Sequence, residues 1–332
     1  ASTYNKNVLG VGLGGATTNV YSVFDGRFVR SVSANLGMSY SICNVLKEAG
    51  ASKIARWVPF EVGKKELVNI LSNKMIRPTT VPQTLKELII EHAVAREAIR
   101  LGFKHHKTIA TRLKGVKIKR DIADIFEQAL VATYIDMMKI HIIVGTGGLL
   151  SHAPRRAQSI LILIDAFQPE GVTRLFQDSV FMMPHLGVLS TVYPEAAWQI
   201  FDKDCLVRLG TVIAPVGEAK GGEKVLDIKL EMPDGREEER RMRFGEITKI
   251  SLPEGEEAKA VISPHKGFDV GAGRGKRLEE KVSGGVVGII IDARGRPLKL
   301  PEDKHEMNEK NIEWISSIGL YPEAQMKNLL EA

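Results

Sequence analysis

The stretch Asn7–Ser33, NVLGVGLGGATTNVYSVFDGRFVRSVS, decides how this chain is built. Alternating apolar residues from Asn7 to Leu13 predict a strand. Gly14 and Gly15 predict a turn, and Thr17 to Phe24 a second strand. Asp25-Gly26 is a strong hairpin signal, because both turn positions of a type I′ turn need positive φ. Arg27 to Ser33 then returns as a third strand. The chain therefore opens with three strands, the first two joined by a glycine turn.

Outward from this stretch the pattern turns helical. Helices are predicted over Ser39–Ala49 (ending at Gly50), Lys64–Met75, Pro82–Leu101 (with Gly102 past its end) and Asp121–Met137. Ile140–Val144 reads as a buried strand running into Gly145-Thr146-Gly147-Gly148. Ser159–Ile164 reads as another buried strand, ending at Asp165, and short helices follow over Gly171–Gln177 and Pro194–Phe201. Composition shifts near residue 205. From there strands are predicted over Leu206–Ala214, Lys224–Met232, Arg240–Ser251, Ala258–Ser263 and Gly284–Asp292, with Pro233-Asp234-Gly235-Arg236 as a hairpin turn. Helices over Lys310–Ile318 and Pro322–Leu330 close the chain. The reading is α/β, with a first unit over 1–204 and a smaller β-rich domain with a helical tail over 205–332.

At 332 residues the chain is long enough for two cores. Its 44% hydrophobic and 26% charged residues are those of a globular protein rather than a disordered one. The net charge of +6 gathers in Lys104, His105, His106, Lys107, Arg112, Lys114, Lys117, Lys119 and Arg120. Only Phe103 lies near them to stack on bases, so a solvated face or a docking surface for an acidic protein is expected, and no nucleic acid. Cys43 and Cys205 form no CxxC or disulfide framework, as in a reduced compartment. The apolar runs Ile140–Val144 and Ile160–Ile164 are too short to span a bilayer. No signal peptide is expected ahead of the first strand. A cytoplasmic protein without a membrane segment is expected.

Two glycine loops carry the chemistry. Gly14, Gly15, Ala16, Thr17 and Thr18 sit at the tip of the first hairpin. Glycines there let consecutive N–H groups converge on one anion, and the threonines add hydroxyls, a pattern suited to phosphate. Gly145, Thr146, Gly147 and Gly148 follow a buried strand, where α/β proteins bind ligands, and glycines would admit a flat purine or a sugar. Neither loop is a G-x-G-x-x-G opening a βαβ unit, and neither carries a Walker lysine.

Four stretches together resemble one family. They are Gly14-Gly15-Ala16-Thr17-Thr18-Asn19-Val20-Tyr21-Ser22, Ser33-Ala34-Asn35-Leu36-Gly37-Met38-Ser39, Gly145–Arg155, and Pro184-His185-Leu186-Gly187-Val188-Leu189-Ser190. They resemble the MutL (or GlmL) accessory proteins of adenosylcobalamin-dependent glutamate mutase, in the actin-like ATPase superfamily. The resemblance implies an RNase H-like, actin-type ATPase lobe over 1–204. It also implies ATP and magnesium as cofactors, phosphate on Gly14–Thr18 and adenosine on Gly145–Gly148. The partners it implies are a mutase subunit and an upstream lobe of a longer family protein that completes the site. Its implied role is a chaperone-like reactivating factor. Two positions depart from the family pattern: Gly12, and usually Asn19, stand where the family has acids. Phosphoryl transfer needs a metal to neutralise charge, so hydrolysis is expected to be impaired even if nucleotide binds. A non-catalytic scaffold and a small-molecule kinase of the same superfamily are the alternatives.

Other residues read as structural. Adjacent His105 and His106 diverge and lack a second pair for a metal. His152 beside the second loop, and the scattered His141, His185 and His265, read as local hydrogen-bonding groups. Asp165 reads as a cap for the turn after its strand, and only remotely as a substitute for the missing acid. Gly271-Ala272-Gly273-Arg274-Gly275-Lys276-Arg277 looks like a phosphate loop on paper, but no Ser/Thr follows, and a flexible surface loop is expected. Trp57, Trp198 and Trp314 are expected as core or interface anchors.

Overall fold

The computed structural model of the chain describes residues 1–111 and 133–331. Its strands are β1 (Val8–Leu13), β2 (Thr18–Phe24), β3 (Arg27–Ser33), β4 (Ile142–Thr146), β5 (Gly171–Asp178), β6 (Leu206–Ala214), β7 (Lys224–Glu231), β8 (Glu237–Arg243), β9 (Ile247–Ile250), β10 (Glu257–Pro264), β11 (Leu278–Ser283) and β12 (Gly288–Asp292). Its helices are α1 (Ile42–Ala49), α2 (Ala51–Ala55), α3 (Lys64–Ile76), α4 (Leu85–Ile109), α5 (Gly148–Ser151), α6 (Arg156–Phe167), α7 (Met183–Leu189), α8 (Pro194–Ile200), α9 (Lys304–Ser317) and α10 (Glu323–Glu331).

Eight strands form one mixed sheet in the order β3-β2-β1-β4-β5-β6-β12-β9. The opening meander is antiparallel as expected, with Asp25 and Gly26 at φ 48° and 74° in the turn. β4 runs parallel to β1, and β5 parallel to β4. Alternation then sorts the faces. Leu9, Val11 and Leu13 are buried in the main core, which also contains residues of α4 and α6. Gly10 and Gly12 lie on the opposite face, beside Tyr21.

The sheet continues across residues 204 and 205, because β6, β9 and β12 all join it. The remaining strands form a second, antiparallel sheet in the order β11-β10-β7-β8. Val225, Ile228, Leu230, Ala260 and Ile262 of that sheet share a core with Ile213, Ile250, Ile289 and Ile291 of the large one. The turn over Pro233–Arg236 joins β7 to β8 as expected, with Gly235 at φ 83°.

Several expected elements are corrected. Ser159–Ile164 is not a strand but the middle of α6. An apolar run buried on every side has no period to distinguish helix from strand, and Gln158 through Phe167 are all buried. Gly171–Gln177 is not a helix but β5, a run containing the β-branched Val172 and Thr173. Arg240–Ser251 is two strands in different sheets. Gly245, at φ 100°, turns β8 out of the small sheet and β9 into the large one. Gly284–Asp292 begins as a turn, and β11 before it was missed. α4 starts after Thr84, whose hydroxyl accepts the Glu87 N–H at 3.2 Å while the Glu87 carboxylate accepts the Thr84 N–H at 3.2 Å. Nor does it end at Gly102. A Cβ there would come within 2.8 Å of the Thr18 Cγ2, so this glycine lets the helix approach β2 and continue to Ile109. The helix expected over Asp121–Met137 and the basic residues beyond Thr111 lie largely outside the described residues.

Candidate functional site

The two glycine loops meet at one end of the parallel pair β1–β4. In register, Asn19 faces Gly12, and Gly12 faces Thr146. Gly147, at φ 117°, packs so closely on the carbonyl of Leu13 that a Cβ would collide with it, which ties the second loop to the end of β1. One strand further, the Thr146 hydroxyl donates to the Asp178 carboxylate at 2.9 Å. Asn19, Gly12, Thr146 and Asp178 thus form a row across four strands, on the face opposite α4.

The hairpin tip is held by its carbonyls. Gly14 O accepts the Met38 N–H, and Gly15 O accepts the Ser39 N–H, each at 2.9 Å. The N–H groups of Gly15, Ala16 and Thr17 have no acceptor among the described residues. Gly14 and Gly15 are not in the left-handed region, so the tip is not the alternating nest that glycines often build. A Cβ on Gly15 would lie 2.5 Å from Ser39 Oγ, so that hydroxyl would have to turn away to admit one. Thr18 stands apart from the tip. It is fully buried, and its hydroxyl donates to Leu36 O at 2.6 Å. Three consecutive amides are therefore unpaired among the described residues, while the Thr18 hydroxyl is tied to Leu36.

The second loop divides similarly. Gly145 is packed under Leu150 and Leu163, where a Cβ would sit at 3.0 and 3.2 Å, so it serves the core. Thr146 is buried on Asp178. Gly148 alone is exposed, with nothing within 4 Å of its Cβ position.

Asp178 escaped sequence reasoning because Gly171–Gln177 read as a helix. Its carboxylate accepts N–H groups of Val180 at 3.3 Å, Met182 at 3.1 Å and Met183 at 2.8 Å, besides the Thr146 hydroxyl. The only sequence signal was an acid closing a β-branched, apolar run. Gly12 has ordinary room for a side chain, its Cβ position lying 3.6 Å from Thr146 Cγ2. Asn19 Oδ1 is buried without a partner. Among the described residues no three His, Cys, Asp or Glu side chains cluster as a metal site.

Asp165 is corrected from a cap or a spare acid to the centre of a buried ion network. It accepts Arg96 Nε at 2.7 Å and Arg294 Nη2 at 2.8 Å. Arg294 and Arg296 also hold Asp292. Burial pushes the Asp292 carboxyl up, but the two arginines outweigh it and hold the group well below the usual carboxylate range. His106 is fully buried on α4. Its ring nitrogens lie 2.9 Å from Ser31 Oγ and 2.8 Å from Ser22 Oγ, and burial lowers it to about 4. His105 pairs with Ser33. The loop at Gly271–Arg277 is closed on itself, since Asp269 Oδ1 accepts the N–H groups of Gly271 at 2.7 Å and Gly273 at 3.0 Å. Trp57 and Trp314 are buried, as expected.

This geometry defines an α/β protein with a glycine hairpin and a glycine loop at the carboxyl ends of two interior strands of a large mixed sheet. The sequence model of the family described as MutL protein matches residues 1–205, and the chain belongs to that family. It is similar to Protein MutL of Clostridium tetanomorphum, 22% identical over 215 residues, which are 58% of this chain and 44% of that protein. The chain thus matches less than half the length of that relative. No described helix is long and apolar enough to cross a membrane.

Proposed function

We propose that the chain is a nucleotide-binding part of an accessory protein for an adenosylcobalamin-dependent mutase of the glutamate mutase type. In this reading Gly15, Ala16 and Thr17 donate backbone N–H groups to phosphate, and Gly147–Gly148 border the adenosine. The observation that carries it is the row of three unpaired amides set beside the second glycine loop. The strand order β3-β2-β1-β4-β5, with β4 and β5 parallel to β1, supports an RNase H-like, actin-type lobe. Membership of the MutL family supports the mutase as partner. The role is carried by family rather than by fold, since one fold hosts many functions.

Binding and hydrolysis separate in this reading. The row offers magnesium a neutral amide oxygen at Asn19 and nothing at Gly12, while the Asp178 carboxylate is already taken by four donors. Magnesium would supply neutralisation of phosphate charge. The chain's own residues bind and orient, and among the described residues of the row none is free to activate a water. A scaffold that holds nucleotide without cleaving it is the second reading, favoured by Gly12 and Asn19. The small-molecule kinase finds no free base in the row, since the Asp178 carboxylate already accepts four donors.

Calorimetric titration of Mg-ATP and Mg-ADP, alone and with the purified mutase, tests the proposal. Ala16→Glu puts a carboxylate at the exposed tip and is expected to weaken binding at least tenfold, about 1.4 kcal/mol, with an unchanged melting temperature. Equal binding by the variant would remove the hairpin from the site. No binding in either setting would sink the nucleotide reading.

A further inference from the structure

One large cavity has no part in the nucleotide proposal. It has a volume of about 460 Å³ and lies on the sheet face that carries Gly10, between the sheet and α7–α8. Its floor is one register step below the polar row: Tyr21 faces Gly10, Gly10 faces Val144, and Val144 faces Phe176. Val8, Val23 and Ile142 make the next step. Leu186, Gly187 and Trp198 belong to the roof. At one side Trp198 meets Tyr4 edge-on at 6.1 Å and Phe201 at 5.9 Å.

Among the described residues the lining contains no Asp, Glu, Lys, Arg or His side chain; Ala1 also borders it, and partial burial disfavours the charged form of its α-amino group. Most of its polar side chains are already engaged. The Tyr4 hydroxyl donates to Asp202, Ser22 Oγ pairs with His106 on the sheet's α4 face, and Ser190 Oγ donates to Gly187 O. A charged group entering this space would lose its hydration and meet no charged side chain, which costs several kcal/mol. An apolar one would lose only water that the walls hold poorly. The volume lies within the range of about 300–1,000 Å³ typical of small-molecule sites. Glycines widen it from both sides. Gly10 sits in the floor, where a Cβ would have only ordinary contacts at 3.8 Å or more. Gly187 sits in the roof, with nothing within 4 Å of its Cβ position.

We propose that this cavity is a binding site for an uncharged, predominantly apolar small molecule. It is separate from the amides of the hairpin tip and independent of the nucleotide reading.

The test uses the chain with 1-aminoanthracene, a neutral fluorophore, as probe, and decanol and decanoate as competitors. Saturable one-to-one fluorescence enhancement is expected, displaced by decanol at least tenfold more effectively than by decanoate. Gly10→Leu and Gly187→Leu fill the cavity from floor and roof, and each is expected to lower probe affinity at least tenfold. Circular dichroism and thermal melting check that both remain folded, and if the floor variant fails to fold, the roof variant decides. Absence of saturable binding, binding unchanged in a folded filling variant, or equal displacement by decanoate would overturn the proposal. So would probe binding that falls as protein concentration rises, in step with dimer formation in sedimentation, since a second copy would then be the occupant.

Discussion

The hairpin tip at Gly14–Thr17 and the loop at Gly271–Arg277 look alike as strings of residues: both are glycine-rich, and the second is the more basic. In three dimensions they are opposites. The amides of Gly271 and Gly273 are satisfied by the chain's own Asp269 carboxylate, so the place an anion would take is filled. At the hairpin the carbonyls of Gly14 and Gly15 are tied down and the amides of Gly15, Ala16 and Thr17 have no acceptor among the described residues. A glycine loop becomes a candidate anion site only when no internal acceptor reaches it first, because an N–H already paired with a carboxylate gains little from exchanging it. The same division into closed and open polar groups runs through the molecule, and it can be tested.

The largest effect is expected where closure is most complete. Asp165→Ala strips the buried Arg96 and Arg294 of a shared partner and should destabilise the fold by about 3–5 kcal/mol in urea titrations. If Asp165 served a ligand instead, stability would hold and binding would fall. The pH dependence follows the same logic. His106 is lowered to about 4 and His92 to about 3, both chiefly by burial. The unfolded chain therefore takes up protons below about pH 6.5 that the folded chain refuses. Stability is fully present above that pH and is lost as pH falls toward 4, by up to about 1.4 kcal/mol per pH unit for each histidine. Denaturant midpoints at pH 7 and pH 5 measure the fall, and His106→Gln should remove its share.

Opening the closed loop is the next step down. Asp269→Ala should cost about 1–2 kcal/mol for the lost charge-assisted bonds. It should also create stabilisation by added sulfate that the parent chain lacks, read as a shift in melting temperature. No sulfate response would mean that the amides collapse onto another acceptor, and the comparison would fail. Gly12→Asp carries the smallest stability effect, within about 1 kcal/mol, because its Cβ position meets only ordinary contacts. Magnesium-dependent hydrolysis appearing in this variant would show a site lacking only that carboxylate, and its absence would favour the scaffold.

Much of the local structure was legible from residue order. The β1–β2–β3 meander follows from alternation and from Asp25-Gly26, whose turn needs positive φ. The helices α1, α3 and α8 and the β7–β8 turn were legible for similar local reasons. The family was legible too, from four separated stretches that no single glycine pattern could have supplied. The failures share one cause. Ile160–Ile164 is as apolar as a buried strand, and only its place beside α4 shows it to be a helix. Gly102 looked like a helix end until β2 supplied the close neighbour that requires it. Asp178 stayed hidden because its meaning depends on Thr146, 32 residues away.

By itself, then, the sequence determined the elements whose signals are short-range: strand alternation, turn glycines, helix caps and the glycine content of two loops. Tertiary structure alone decided which amides remain unpaired, which acids are locked to arginines, and that a cavity without charged side chains opens beneath the polar row. Those outcomes depend on which distant groups arrive within hydrogen-bonding reach, and a buried donor or acceptor takes whichever partner the fold brings to it first.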